Sequence, residues 1–196
     1  MFVTKICIVR HGQSEWNAKG LMQGRRDIEL NEVGLRQADK VAQYLISDKW
    51  DVIVSSPLKR ATKTAEIISK VIGIEKVYEV EDLQERDWGG ATGLTHKELD
   101  EKDGGVEILG IESWEDLKIR GIKAFQSIVK KYPNKNIIVV SHGAIIRAIL
   151  EKIAGKDMVI ERLKNTSMTI INYDNNKWTI ELLNYSINED DKVVNE

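Results

Sequence analysis

The sequence predicts an α/β protein, a three-layer αβα sandwich with a mostly parallel central sheet and an antiparallel C-terminal hairpin. Two observations lead there. Short apolar runs rich in β-branched residues alternate with stretches of helical periodicity, the pattern of a parallel sheet covered by helices on both faces. The last two runs are joined only through Asp174-Asn175-Asn176-Lys177, which reads as a hairpin turn.

The strand candidates are Val3 to Val9, Val52 to Val54, Val77 to Val80, Ile137 to Val140, Met168 to Tyr173 and Trp178 to Leu183. Between them, Leu35, Ala38, Ala42 and Leu45 share one helical face, as do Leu58, Ala61, Ala65, Ile68 and Ile72. Ser56 and Pro57 are expected to open the second of these helices as its cap and first residue. A third helix starts near Ser113, with Asp116 completing a near-capping box and Leu117, Gly121, Phe125 and Ile128 turned to the core. A fourth follows His142, aligning Ile146, Ile149 and Ile153.

A chain of 196 residues is long enough to bury a core without disulfides, and a single domain over residues 1–187 is expected, followed by a polar tail at 188–196. The one cysteine, Cys7, lies inside the first strand run and reads as a small core residue. With 29 Lys and Arg against 31 Asp and Glu, the chain lacks the basic footprint of a nucleic-acid binder. No apolar stretch has the length of a signal peptide or a membrane span, so a cytoplasmic protein with no membrane partner is expected.

Chemistry gathers where strands end, because open α/β folds present ligand-binding groups at the carboxyl ends of their strands. The first run is followed by Arg10-His11-Gly12-Gln13-Ser14-Glu15-Trp16-Asn17. That segment offers a fixed cation, an imidazole, a glycine permitting close backbone approach and two neutral hydrogen bonders, all of use against a phosphoryl group. Ser55-Ser56-Pro57-Leu58-Lys59-Arg60 follows the second run, and Ser141-His142-Gly143 follows the fourth. Of three histidines, His11 and His142 thus share the strand-exit position, while His96 is expected on an exposed helix. Zinc is the rival use of two histidines, but no His-x-x-x-His or paired-cysteine spacing supplies further ligands, and no metal is expected. Among the acids after the third run, residue types alone do not choose Glu85 over Glu81 or Asp82.

Taken in order, these segments resemble the histidine phosphatase superfamily, which includes cofactor-dependent phosphoglycerate mutases and many small phosphatases. The resemblance rests on Arg-His-Gly-x-Ser-x-x-Asn at 10–17, Gln-Gly at 23–24, Ser-Ser-Pro-Leu-x-Arg-Ala at 55–61, Leu-x-Glu at 83–85, Glu-Ser at 112–113 and Ser-His-Gly at 141–143. It implies a metal-independent phosphomonoester hydrolase working without a cofactor. His11 would become phosphohistidine, Arg10, Arg60 and His142 would surround the phosphoryl oxygens, and Glu85 would be the proton donor. Asn17 would add a hydrogen bond, and Ser14, Gln23, Gly24 and Gly143, which lie in the matching motifs, are further substrate-binding candidates. The expected partner is a small phosphorylated metabolite such as α-ribazole phosphate, phosphoserine or a sugar phosphate.

The same resemblance implies a lid at about 86–112. That segment holds three bases and seven acids, a poor clamp for a bisphosphate. Hydrolysis is therefore favoured over mutase chemistry. Gln23 and Arg25 point the same way, because mutases of the family usually have a small hydroxyl residue and a tryptophan there. An acidic lid would also tolerate an amine-bearing substrate, and Trp88, Leu94, Ile108, Leu109, Ile111 and Trp114 offer it apolar surface. The alternatives are a phosphoglycerate mutase and a non-catalytic phosphate-ligand sensor. A dinucleotide-binding domain fits poorly, since Arg-His-Gly replaces the spaced glycines of that fingerprint.

Overall fold

A computed structural model describes residues 3–101, 110–155, 160 and 162–187. The strands are β1 (Thr4–Arg10), β2 (Val52–Ser55), β3 (Val77–Glu79), β4 (Asn136–Ser141), β5 (Met168–Asp174) and β6 (Lys177–Tyr185). The helices are α1 (Glu15–Ala18), α2 (Glu32–Leu45), α3 (Lys59–Ile72), α4 (His96–Asp100), α5 (Trp114–Lys131) and α6 (Gly143–Ala154). One sheet runs in the order β3-β2-β4-β1-β5-β6. Its first four strands are parallel, and β5 and β6 are antiparallel to their neighbours. The expected architecture is the one found.

Alternation along β1 explains the three layers, since successive side chains leave a strand on opposite faces. Ile6 and Ile8 join Leu117, Phe125, Ile145 and Ile149 of α5 and α6 in one buried cluster, while Cys7 and Val9 join Val41, Leu45, Ala65 and Ile68 of α2 and α3 in the other. Gly121 allows α5 to lie against α6, for a Cβ there would stand 2.5 Å from Ile149 Cγ1. Burial pushes the Cys7 thiol up to about 12, in keeping with an inert core residue. The turn between β5 and β6 has Asn175 and Asn176 at φ 47° and 62°, the left-handed pair that a two-residue hairpin requires.

Local differences from the sequence reading have physical causes. Helix α3 begins at Lys59 with Leu58 as its cap residue, not at Pro57 with Ser56 as cap; the Ser56 hydroxyl accepts the Leu58 N–H at 3.3 Å and also lies 2.7 Å from His142 Nε2. Helices α1 and α4 are too short to register as periodic patterns, and each is fixed instead by a capping box, Ser14 with Asn17 and Thr95 with Glu98. Ser113 caps α5 as expected. Among the described residues no helix is long and apolar enough to cross a membrane. The tail at 188–196 and residues 102–109 of the expected lid, including Ile108 and Leu109, lie outside the described residues.

Candidate active site

Parallel register builds the site. Arg10 stands opposite Ser141, and Ser55 opposite Val140, so β1, β2 and β4 end side by side and the residues that follow, His11, Ser56 and His142, converge. A cavity of about 580 Å³ opens at this edge, lined by Arg10, His11, Asn17, Arg60 and Glu85, with Gln23, Gly24 and Gly143 also on its wall. Two site candidates do not line the cavity itself. Ser14 is wholly buried off the cavity, its Oγ 2.9 Å from Gln23 Oε1 and accepting the Asn17 N–H as the cap of α1. His142 is buried behind His11, ring centroids 5.0 Å apart.

The His11 ring is set by its own backbone. Nδ1 lies 2.6 Å from the Gly12 carbonyl, which only accepts, so Nδ1 holds the proton and Nε2 keeps its lone pair. Burial, then Arg60 and Arg10, hold the His11 imidazole well below its usual range, and burial with the same arginines does so for His142. Both rings are thereby neutral at neutral pH. The His11 carbonyl accepts from Asn165 Nδ2 at 2.9 Å, a contact that nothing in the sequence signals.

Arg10 and Arg60 are anchored by their outer nitrogens. Arg10 Nη1 donates to the Leu163 carbonyl, and Arg60 donates from Nη1 to Arg26 O at 2.7 Å and from Nη2 to Gly24 O at 2.8 Å. Burial lowers both guanidinium groups to about 10, with Glu85 opposing the shift, and both stay charged. Three buried nitrogens at this site, Arg10 Nε, Arg60 Nε and His142 Nδ1, have no partner among the described residues. Buried polar groups without a partner are uncommon in folded proteins.

Glu85 is seated on the first turn of α6, accepting the Ala144 N–H at Oε2 and the Ile145 N–H at Oε1, each at 3.2 Å. Its loop is tied to β4 by the Ser141 hydroxyl donating to Leu83 O at 2.7 Å. Gly12 serves packing more than approach to a ligand: a Cβ there would meet the Gly34 carbonyl at 2.4 Å, because the loop after β1 lies directly on α2.

Beyond these groups, the charged side chains on the wall among the described residues are Arg86, Arg147 and Arg162, although the 86–112 segment is acidic overall. The Arg86 guanidinium is stacked between Trp88 and Trp114, at 4.6 and 5.4 Å from their ring centroids, with Nε donating to Glu112 O. The described acids of the 86–112 segment are engaged or turned outward: Glu112 binds Arg120, Asp87 pairs with Arg25, and Glu98, Asp100 and Glu101 are exposed. Leu94 and Ile111 pack around Met22 and Ala91, and His96, exposed on α4, sets its ring edge-on to Trp88 at the rim. Among the described residues no group of three His, Cys, Asp or Glu side chains could hold a metal ion.

A parallel sheet ending in a buried imidazole flanked by two anchored arginines defines an enzyme built to handle phosphoryl groups. The family model of the histidine phosphatase superfamily, branch 1, matches residues 6–186, and the chain belongs to that superfamily as a phosphatase. It is 38% identical over 188 residues, 95% of this chain and 96% of the relative, to the uncharacterized phosphatase PhoE of Bacillus subtilis. It is 39% identical over 192 residues, 91% of this chain and 80% of the relative, to a metal-independent phosphoserine phosphatase of Arabidopsis thaliana. The crystal structure of a phosphoserine phosphatase from Entamoeba histolytica in complex with 3-phosphoglyceric acid superposes with a TM-score of 0.82 at 30% identity, covering 93% of this chain and 98% of that one.

Proposed function

We propose that the protein hydrolyses a small phosphomonoester carrying a second anionic group, through a phosphohistidine on His11 and without a metal. The observation that supports this most directly is the set of unpartnered buried nitrogens of Arg10, Arg60 and His142 gathered around an imidazole whose Nε2 lone pair is free. In the first step Nε2 attacks phosphorus, the P–O bond to the leaving group breaks, and Glu85 passes its proton to the departing oxygen. In the second, the Glu85 carboxylate takes a proton from water, the resulting hydroxide attacks phosphorus, and the N–P bond breaks to release phosphate. The Arg10 and Arg60 guanidinium groups hold the charge spread over the phosphoryl oxygens in both steps, the role a metal would otherwise fill.

The second anionic group is read from Arg86, Arg147 and Arg162 on the cavity wall, which suit a carboxylate. Phosphoserine, the substrate in the names of several relatives, has that form. The test is phosphate release, with chelator present, from phosphoserine, 3-phosphoglycerate and phosphoethanolamine, the last being phosphoserine without its carboxylate. Turnover strongest on the carboxylated esters, with acid-labile phosphate trapped on the wild type and absent in His11→Asn, is the expected result. Turnover only after metal addition, or isomerisation of 3-phosphoglycerate outrunning phosphate release, would overturn it.

A further inference from the structure

Arg120 lies on α5, outside the cavity wall, yet its guanidinium is divided between the loop that carries Glu85 and the Glu112 carboxylate. Nη1 donates to the carbonyls of Asp82 at 2.8 Å and Gln84 at 2.9 Å, and Nη2 points to Glu85 O at 3.4 Å. The same group grips Glu112 through two bonds of 2.9 Å, from Nε to Oε1 and from Nη2 to Oε2. Glu112 in turn accepts the Asp87 N–H at Oε2, 3.0 Å away, and its backbone carbonyl accepts Arg86 Nε at 2.8 Å. Both side chains are largely buried, at 16% and 12% exposure, so the pair is shielded from the screening that weakens surface ion pairs.

We propose that Arg120, locked to Glu112, is a positioning residue for proton transfer: it fixes the backbone of residues 82–85 so that the Glu85 carboxyl meets the leaving oxygen. This rests on the reading of Glu85 as proton donor. Glu85 reaches the cavity from an irregular loop, and among the described residues its two oxygens accept backbone N–H groups, from Arg86, Ala144 and Ile145. Those contacts orient the carboxyl only while the loop stays in place. A planar fork with five donors satisfies several carbonyls and a carboxylate at once, which a lysine cannot do. Misplacement of a reacting group by about 1 Å costs on the order of 100-fold in rate.

The measurement is kcat/KM, which reports the steps through P–O cleavage and excludes the water attack that follows, on two esters that differ in need of a proton: phosphoserine, which leaves as an alkoxide, and 4-nitrophenyl phosphate, whose phenolate leaves unaided. Arg120→Met is expected to lower kcat/KM on phosphoserine by about 10-fold to 100-fold. On the aryl ester kcat/KM should stay within about threefold of wild type. In a Glu85→Gln background, Arg120→Met should add no further loss on phosphoserine, since the group it positions is already gone. Glu112→Gln, which keeps side-chain shape, should show the same selectivity in weaker form and serves if Arg120→Met does not fold. Equal losses on both esters, or a full additional loss in the Glu85→Gln background, would make Arg120 a structural residue and overturn the proposal while leaving Glu85 as donor. If Glu85→Gln itself lowers kcat/KM equally on both esters, Glu85 is not the proton donor, and the positioning role falls with it.

Discussion

His11 and His142 stand with ring centroids 5.0 Å apart and planes inclined by 58°, and no hydrogen bond joins them. Each ring is held separately, His11 by the Gly12 carbonyl and His142 by the Ser56 hydroxyl at 2.7 Å. The pair therefore offers one imidazole with a free lone pair and a second with an unpartnered Nδ1 beside it. Two neutral rings are what a nucleophile and its neighbour require at neutral pH.

That neutrality makes stability depend on pH. Both folded-state values are depressed below the ordinary histidine value, so at mildly acid pH the unfolded chain binds protons that the folded chain does not. Stability is fully present above about pH 6.5 and falls as pH drops below it, until the folded rings themselves protonate. Thermal melts should show a lower Tm at about pH 5 than at about pH 7.5, with part of the difference removed in His142→Asn. Inorganic phosphate should shrink the difference, because a bound anion favours a charged ring.

Arg60 donates by both terminal nitrogens to the loop at Gly24 and Arg26 while its Nε stays unpartnered. Lysine keeps the charge but cannot fill both roles. Arg60→Lys is expected to lower kcat by about 100-fold to 1,000-fold, the usual cost of losing one preorganised donor. A loss under tenfold in steady-state assays would exclude Arg60 from transition-state stabilisation.

Gly34 on α2 touches the loop after β1 so closely that a Cβ would lie 2.0 Å from the Gln13 carbonyl oxygen. Alanine favours helix by about 1 kcal/mol, but backbone cannot yield as a side-chain tip can. Gly34→Ala is expected to destabilise the protein by about 1–3 kcal/mol in urea unfolding and to lower activity through the displaced His11. Unchanged stability would show that loop and helix separate freely.

Arg86, a wall cation, is held over the rings of Trp88 and Trp114 and by its Nε bond to Glu112 O. Arg86→Gln should raise KM for phosphoserine by about tenfold and leave phosphoethanolamine unaffected, matching the loss of one charge-assisted bond to a carboxylate. Equal effects on both esters would assign Arg86 to packing alone.

Much of this protein was legible in its sequence. Alternating apolar runs and helical faces, the hairpin at Asn175 and Asn176, and the grouping of Arg10, His11, Arg60 and His142 all follow from local pattern and strand order, because parallel strands in register must end together. The resemblance selected Glu85 from three nearby acids. Folding alone decided the rest. Ser56 met His142, Ser14 turned into α1, Asn165 reached the His11 carbonyl, and Arg120 took hold of the loop bearing Glu85. Of the described residues of the acid-rich segment 86–112, those that line the cavity are Arg86, Trp88 and His96, because net charge counts residues while the backbone path sets where each one points. Contacts between segments far apart in the chain depend on side-chain direction, and no spacing along the sequence encodes it.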